Sequence, residues 1–516
     1  MLIDIDRIEE YLNDIIAEVV GYRQTIHMVS KTNKIRAVII LSFLLITCGC
    51  FSHNKYTYEN IRQEYAKIIC DDAFSTKVSK TGQYTCALQK PVSLNDAIQI
   101  ALANNPDNKI AVARIKQANA MIEKANANFF PFLGFYTQYS QGDAPSGYLF
   151  KKIDQRLLPA NTDFNSPGWY ENYETGIKAG INIFNGGRDI LNKKIAETNF
   201  SIFQIDRQSV KNSLVASVIH TYYNAFVAKE YIKITRDSVS TVKSQLRLMN
   251  VRFRAGGVLK SDILSLEVRL AQAKEDVVLS DNRFKTALTV FASLLGVNPE
   301  TEIRLRNEDK IESREIPLPD EYIAGVAYAL ENRSEVNKIK EQVIQSSIAL
   351  DLSRAEYLPR VDLQSKYYVD DPEMAYNDSR DNWTAAVIFN WDIFTGFSTK
   401  AEEKKAKARL EEMLAADLKT KLSVKLDVKN TYLKLAEAKA RLDVAERSVA
   451  MAEESFKLVR KQYEGGAATI TRYFEAELAF NRAKTRTTAA YYDREKALAD
   501  IGRAIGYWGK ADKITP

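Results

Sequence analysis

The sequence predicts a membrane α+β chain built from two tandem copies of one unit, each a hairpin of amphipathic strands flanked by very long helices. Three observations predict it. Motifs recur at fixed offsets, strand-length stretches alternate strictly between apolar and polar residues, and long helical stretches contain neither Gly nor Pro.

The repeat is explicit. Ile183-Phe184-Asn185-Gly186 returns as Ile393-Phe394-Thr395-Gly396, and Arg252-Phe253-Arg254-Ala255-Gly256 as Gln462-Tyr463-Glu464-Gly465-Gly466, both 210 positions on. Ala101-Leu102-Ala103-Asn104-Asn105 matches Ala329-Leu330-Glu331-Asn332-Arg333 and Pro131 matches Pro359, both 228 positions on. The 18-residue difference falls between Tyr139 and Gly176, so the first copy carries the longer loop. The expected organisation is a leader (1–50), a tether (51–92), a first repeat (93–310), a second repeat (311–506) and a tail (507–516).

The leader reads as an export signal. Lys31, Lys34 and Arg36 precede the apolar run Ala37–Ile46, which is too short to span a bilayer and suits a signal-peptide core. Gly49-Cys50 ends it in the manner of a bacterial lipobox, making Cys50 the expected site of acylation by lipid chains such as palmitate. Residues 1–27 carry Asp4, Asp6, Glu9, Glu10, Asp14 and Glu18 where a signal peptide needs positive charge, so Met28 is the expected true start. Cys70 and Cys86 remain after processing. An oxidising periplasm favours their pairing, which would close a loop of about 15 residues worth roughly 3 kcal/mol.

Ser93-Leu94-Asn95-Asp96 caps an apolar helical pattern running toward Asn128. The first strand is expected at Phe129–Ser140, with Leu133, Phe135, Thr137 and Tyr139 on one face. Residues 141–173, rich in Gly and Pro, read as a long loop. Then Ile177, Ala179, Ile181 and Ile183 face one way, Lys178 and Asn182 the other. The second copy repeats this with Val361, Leu363 and Tyr367, and again with Trp383, Ala385, Val387, Phe389 and Trp391. Strands of roughly 10–13 residues with one apolar face suit a tilted bilayer crossing. Trp383 and Trp391 are spaced to sit at opposite interfaces. Four strands cannot close a barrel, and an open edge in lipid leaves backbone groups unpaired at several kcal/mol each. Strands in a membrane therefore require several chains, and three would supply twelve.

From Asp189 to Phe253, and again from Thr399 to Tyr463, there is no Pro and no Gly, enough for roughly 100 Å of helix at 1.5 Å per residue. Heptads run through both: Leu435, Leu442, Val449, Phe456 and Tyr463 in one, Ala225, Ile232, Val239, Leu246 and Phe253 in the other. After each glycine turn a return helix begins, with a seam at Ile263, Leu270, Val277 and Phe284.

These elements together resemble the TolC-like outer-membrane efflux proteins, and the lipobox resembles their lipoprotein branch. The likeness spans Ser93 to Gly506. It rests on the Ser-Leu-x-x-Ala-Ile opening at Ser93–Ile98, the aromatic-x-x-Gly turns at Phe253–Gly256 and Tyr463–Gly466, and the Pro-led strands at Pro131 and Pro359. The resemblance implies a homotrimer whose twelve-stranded β-barrel, four strands per chain, sits in the outer membrane and continues as a long periplasmic α-helical coiled-coil barrel. Loops 141–173 and 370–382 would face the cell exterior. The turns at Gly256-Gly257 and Gly465-Gly466 would form the periplasmic tip, where the family docks a periplasmic adaptor and an inner-membrane transporter. The family's tip aperture is lined by acidic residues spaced i, i+3, which share one helix face. The corresponding positions here are Arg472 and Glu475, with Asp262 and Ser265 in the first copy. Arg472 replaces an expected carboxylate, so this constriction would mix signs and be less cation-selective. Asp262 is expected to pair with Arg472 or Lys260 and hold the tip shut.

The reading is a passive exit duct of a tripartite efflux system, with type I protein secretion and a poreless periplasmic coiled-coil scaffold as alternatives. Net charge of +6 on 516 residues, without a basic block, gives no basis for nucleic-acid binding. No metal-binding, phosphate-loop or nucleophile-elbow motif is present, so neither an enzyme nor a cofactor is expected. Lone His220, in an apolar helix, reads as packing.

Overall fold

The computed structural model describes residues 57–63, 91–306, 319, 321–375 and 378–509. Cys50, Cys70, Cys86 and residues 1–27 lie outside the described residues, as does nearly all of the tether. Two compact units emerge among the described residues. One gathers Asn128–Asn185 and Pro359–Trp391, the other residues 91–127, 186–306, 321–358 and 392–509.

The first unit is one antiparallel sheet in the order β1 (Phe132–Gly142), β2 (Tyr170–Phe184), β3 (Arg360–Asp371), β4 (Asp381–Asn390). The two copies join through β2 and β3. Alternation fixes the register. Phe135 pairs with Ile177, Ile177 with Tyr367 and Tyr367 with Trp383, so one row of large apolar side chains crosses all four strands. A second row, Gln138–Glu174–Asp370, crosses three strands on the opposite face. The apolar face is open: Leu133, Phe135 and Val387 are exposed, and Trp383 is 75 % exposed. Contiguous exposed apolar area of this kind marks a surface made for something other than water. Among the described residues the outer edges of β1 and β4 have no strand neighbour.

Two details depart from expectation. β1 starts three residues late because Ala127–Phe129 forms a 3-10 turn before Pro131. Residues 141–173 are not simply a loop: β2 begins at Tyr170, and α3 (Pro145–Asp154) folds inside the connection. Pro145 is the reason, since its fixed φ suits the first helical position. The β3–β4 connection, residues 372–380, includes a short 3-10 turn at Asp378–Arg380, and the 18-residue difference between the copies lies between these two connections.

The second unit is helical. Ser93 and Asp96 make a reciprocal capping box at the start of α1 (Leu94–Asn104). The expected single helix to Asn128 is broken. Asn105 turns extended, its side chain accepts from Asp107 N–H, and Pro106 opens α2 (Pro106–Asn126), because a proline in mid-helix would remove a backbone bond. The second copy repeats the break at Arg333, between α6 (Tyr322–Asn332) and α7 (Ser334–Arg354).

The long helices repeat residue for residue. α4 (Arg188–Arg254) and α8 (Ser398–Glu464) each have 67 residues; α5 (Lys260–Leu294) and α9 (Ile470–Ala504) each have 35. Ile100, Tyr222, Phe226, Phe291 and Trp508 form the largest core. Trp508, assigned by sequence to the tail, is buried there. Gly502 leaves room for its indole, and Trp508 Nε1 donates to the Ala499 carbonyl at 3.0 Å. His220 is a linking residue: its Nε2 lies 3.0 Å from Asp500 Oδ1, joining α4 to α9. Burial would raise the Asp500 carboxyl, but the hydrogen bond and charge of His220 outweigh it and hold the group below its ordinary range.

The seams match the heptads at Ala225, Ile232, Leu442 and Tyr463, which are buried. Phe253 does not follow its counterpart Tyr463. It is exposed, with Lys260 Nζ 5.8 Å above its ring. Along α8, Leu414, Leu418, Leu422, Leu426 and Leu433 stand in the open on the face away from these seams. Among the described residues no helix is long and apolar enough to cross a membrane.

Candidate gate at the helical turns

Glycine ends both long helices. Gly256 and Gly466 adopt positive φ, +74° and +78°, which side chains resist, while Gly257 and Gly465 have ordinary backbone. The pairing is of the helix-terminating type: Gly257 N–H donates to the Arg252 carbonyl and Ala467 N–H to the Gln462 carbonyl. Thr469 then caps α9 by accepting from Arg472 N–H at 3.2 Å. Arg252 Nη2 donates to the Glu464 carbonyl and so ties the first turn to the second. Sequence reading missed Arg252, because a surface arginine beside a turn carries no mark of its partner.

Behind the turns lies a small core of Val242, Met249, Ile263, Leu266, Tyr463 and Tyr473. Tyr463 packs its ring against Tyr473 in a tilted pair with centroids 5.2 Å apart and donates its hydroxyl to Met249 Sδ at 3.0 Å. Burial, then the Asp262 carboxylate, pushes the Tyr463 hydroxyl up. Burial, then Glu477, does the same to Tyr473. Both phenols therefore stay neutral and serve as packing groups with one polar end.

The four sequence-selected positions separate. Arg472 is not paired with Asp262. Its guanidinium lies 3.7 Å from Glu475, one turn on along its own helix, and both side chains are more than 60 % exposed. Such a pair contributes little to stability. An i, i+3 neighbour of opposite charge shares the helix face of Arg472 and is within easy reach. Ser265 and Glu475 share a surface: with Leu264, Val268, Phe474 and Leu478 they line a groove of about 590 Å³ between α5 and α9.

Below the groove is a cluster that sequence reading did not single out. Glu477 is 2 % exposed. Its Oε1 accepts from Ser238 Oγ at 2.7 Å and Asn481 Nδ2 at 3.3 Å, and its Oε2 lies 3.5 Å from Arg269 Nε. This one carboxylate joins α9 to α4 and α5. Among the described residues no group of side chains is arranged to hold a metal ion.

Comparison with known proteins places this architecture. The family model for outer membrane efflux protein matches residues 97–297 and 326–507, one match for each copy. The chain belongs to that family. Among its curated relatives, the pyoverdine export outer membrane protein OpmQ of Pseudomonas aeruginosa is 22 % identical over 425 residues, covering 81 % of this chain and 86 % of the relative. The alkaline protease secretion protein AprF of the same organism is also 22 % identical, covering 82 % and 86 %. Among solved structures, the Campylobacter jejuni CmeC outer membrane channel superposes with a TM-score of 0.68 at 16 % identity, covering 80 % of this chain and 85 % of that one. In this efflux family chain the four-stranded sheet per protomer, the two repeats and the long helices are thus those of an outer membrane channel fold.

Proposed function

We propose that the protein is the outer-membrane exit duct of a tripartite efflux system: a homotrimer, passive in itself, that docks through its helical turns with a periplasmic adaptor and an inner-membrane pump. The exposed apolar face of the sheet carries this reading. A four-stranded sheet that exposes a row of large apolar side chains on one face is stable only where lipid covers that face and neighbouring chains cover its two edges. The open leucines of α8 call for the same cover from a second copy. The polar strand faces then enclose a water-filled bore, and transport energy comes from the pump. Cys50, as an acylated first residue, anchors each protomer, and Cys70 and Cys86 pair in the periplasm. No reaction is assigned to the chain, and neither a cofactor nor a metal.

The similarity to AprF, at the same identity as to OpmQ, favours a second reading in which the cargo is a secreted protein. Both readings share the duct. Insertion of the purified mature chain into a planar bilayer is expected to give discrete conductance steps. Trimers that leave the bilayer silent would remove the duct and leave the scaffold reading.

The gate assignment is tested in the same bilayer. With Arg472 exposed at the start of α9, Arg472→Ala removes three positive charges from the aperture of a trimer. Cation preference is expected to rise by roughly the few-fold that one unit charge per subunit exerts across a few ångströms of water. Unchanged selectivity and conductance would remove Arg472 from the gate.

A further inference from the structure

The β1–β2 connection carries a helix, and the helix has a built seat. Lys151, on α3, places Nζ 3.0 Å from Glu174 Oε2 on β2 and 3.0 Å from Asp370 Oδ1 on β3. Asp370 is wholly buried and also accepts from Asn172 Nδ2 on β2 and Asn382 Nδ2 on β4. One turn on, Gln155 donates through Nε2 to Asn172 Oδ1 and to the Glu171 carbonyl, both at 2.8 Å. At the other end of α3, a Cβ on Gly147 would come within 2.8 Å of the Tyr170 ring, so glycine lets the helix lie close against β2.

Parity tells which face the helix occupies. Tyr170, Asn172, Glu174, Asp370 and Asn382 belong to the row set opposite Ile177, Tyr367 and Trp383. Strand side chains alternate without exception in a regular register. The helix therefore rests on the polar face of the sheet. If the apolar face meets lipid, the polar face is the bore, and α3 lies inside it. Three carboxylates, Asp154, Glu174 and Asp370, surround the one ammonium of Lys151. Burial, then Asp370, holds the Asp154 carboxyl above its ordinary range. Lys151 is raised overall, its two hydrogen-bonded carboxylates overcoming the burial that would lower it.

We propose that α3 is a second constriction of the channel, at the end of the sheet that carries the β1–β2 and β3–β4 connections, latched across the bore by Lys151 and selecting by size what crosses the outer mouth. This rests on the duct reading. Three copies in a trimer project three helices toward one axis. Passage of a bulky solute requires Lys151 to leave both carboxylates. Lys366, 4.0 Å from Glu174, is placed to take up part of the charge when it does.

The test reads access from outside intact cells. Gln364→Cys puts a thiol on the polar face of β3, and Leu363→Cys one on the apolar face; labelling is scored as the increment over the parent chain. A small charged maleimide is expected to label Cys at 364 and not at 363. A polyethylene-glycol maleimide is expected to label position 364 slowly in the parent. Lys151→Ala should accelerate it roughly tenfold, the factor for losing a charge-assisted hydrogen bond from a two-state closure. Lys151→Arg should restore the slow rate. Lys151→Met serves as the second variant if the alanine form fails to reach the outer membrane. Equal polymer labelling rates in the parent, Lys151→Ala and Lys151→Met would overturn the constriction while leaving the duct. Small-reagent labelling at 363 but not at 364 would overturn the duct itself, and the constriction with it.

Discussion

Val387→Arg is expected to abolish assembly in the outer membrane, and Ala386→Arg, one residue away, to leave it intact. Val387 is 68 % exposed and lies midway between Trp383 and Trp391 on the apolar face of β4. A charged side chain at the bilayer midplane of a strand costs about 2–4 kcal/mol per chain, a cost that falls toward zero near the interfaces. Ala386 pairs with Gln364 and faces the polar side, where an arginine meets water. The measurement is heat-modifiable trimer migration in the outer-membrane fraction. Equal yield from the two variants would contradict a lipid-facing assignment and return the sheet to the ordinary case of one buried face in a soluble protein.

The second large effect concerns Arg269. Arg269→Met is expected to destabilise the helical unit by about 3–5 kcal/mol, because it leaves the Glu477 carboxylate buried without its counter-charge. The hydroxyl of Ser238 and the amide of Asn481 satisfy Oε1 only; Oε2 faces Arg269. The double variant Arg269→Met, Glu477→Met is expected to recover most of the loss, since replacing a buried ion pair by apolar groups of similar volume is often neutral. Thermal unfolding of the detergent-solubilised trimer, with protease cleavage near the turns as a local readout, checks both. A single variant as stable as the parent would mean that water reaches Glu477 and that it needs no partner.

The repeat, the strands and the four long helices were legible because their signals are periodic and their ends are marked by residues with special backbone needs. Gly256 and Gly466 stop the long helices at matching positions. Odd and even strand positions sort the two faces. Helix α3 was hidden because Gly142, Pro145 and Gly147, which read as loop formers, here end a strand, open a helix and clear an aromatic ring. Pro106 was passed over in a long apolar pattern that the chain splits into two helices. At the candidate gate, sequence offsets located the turns and the charged positions. They gave no access to pairing. With 72 Lys and Arg and 66 Asp and Glu, no local signal shows that Arg269 and Glu477 meet under cover while Arg472 and Glu475 meet in the open.

The unpaired borders of β1 and β4 carry a further consequence for biogenesis. A newly exported chain presents two rows of bare amide and carbonyl groups beside an oily sheet, the kind of surface that templates misassociation. Such a chain needs an escort in transit, and its final fold waits on an encounter with its siblings. Completion is then a three-body event, so halving synthesis should lower the yield of finished channels by more than half. Gene dosage would act on this protein more steeply than on a monomer of equal stability.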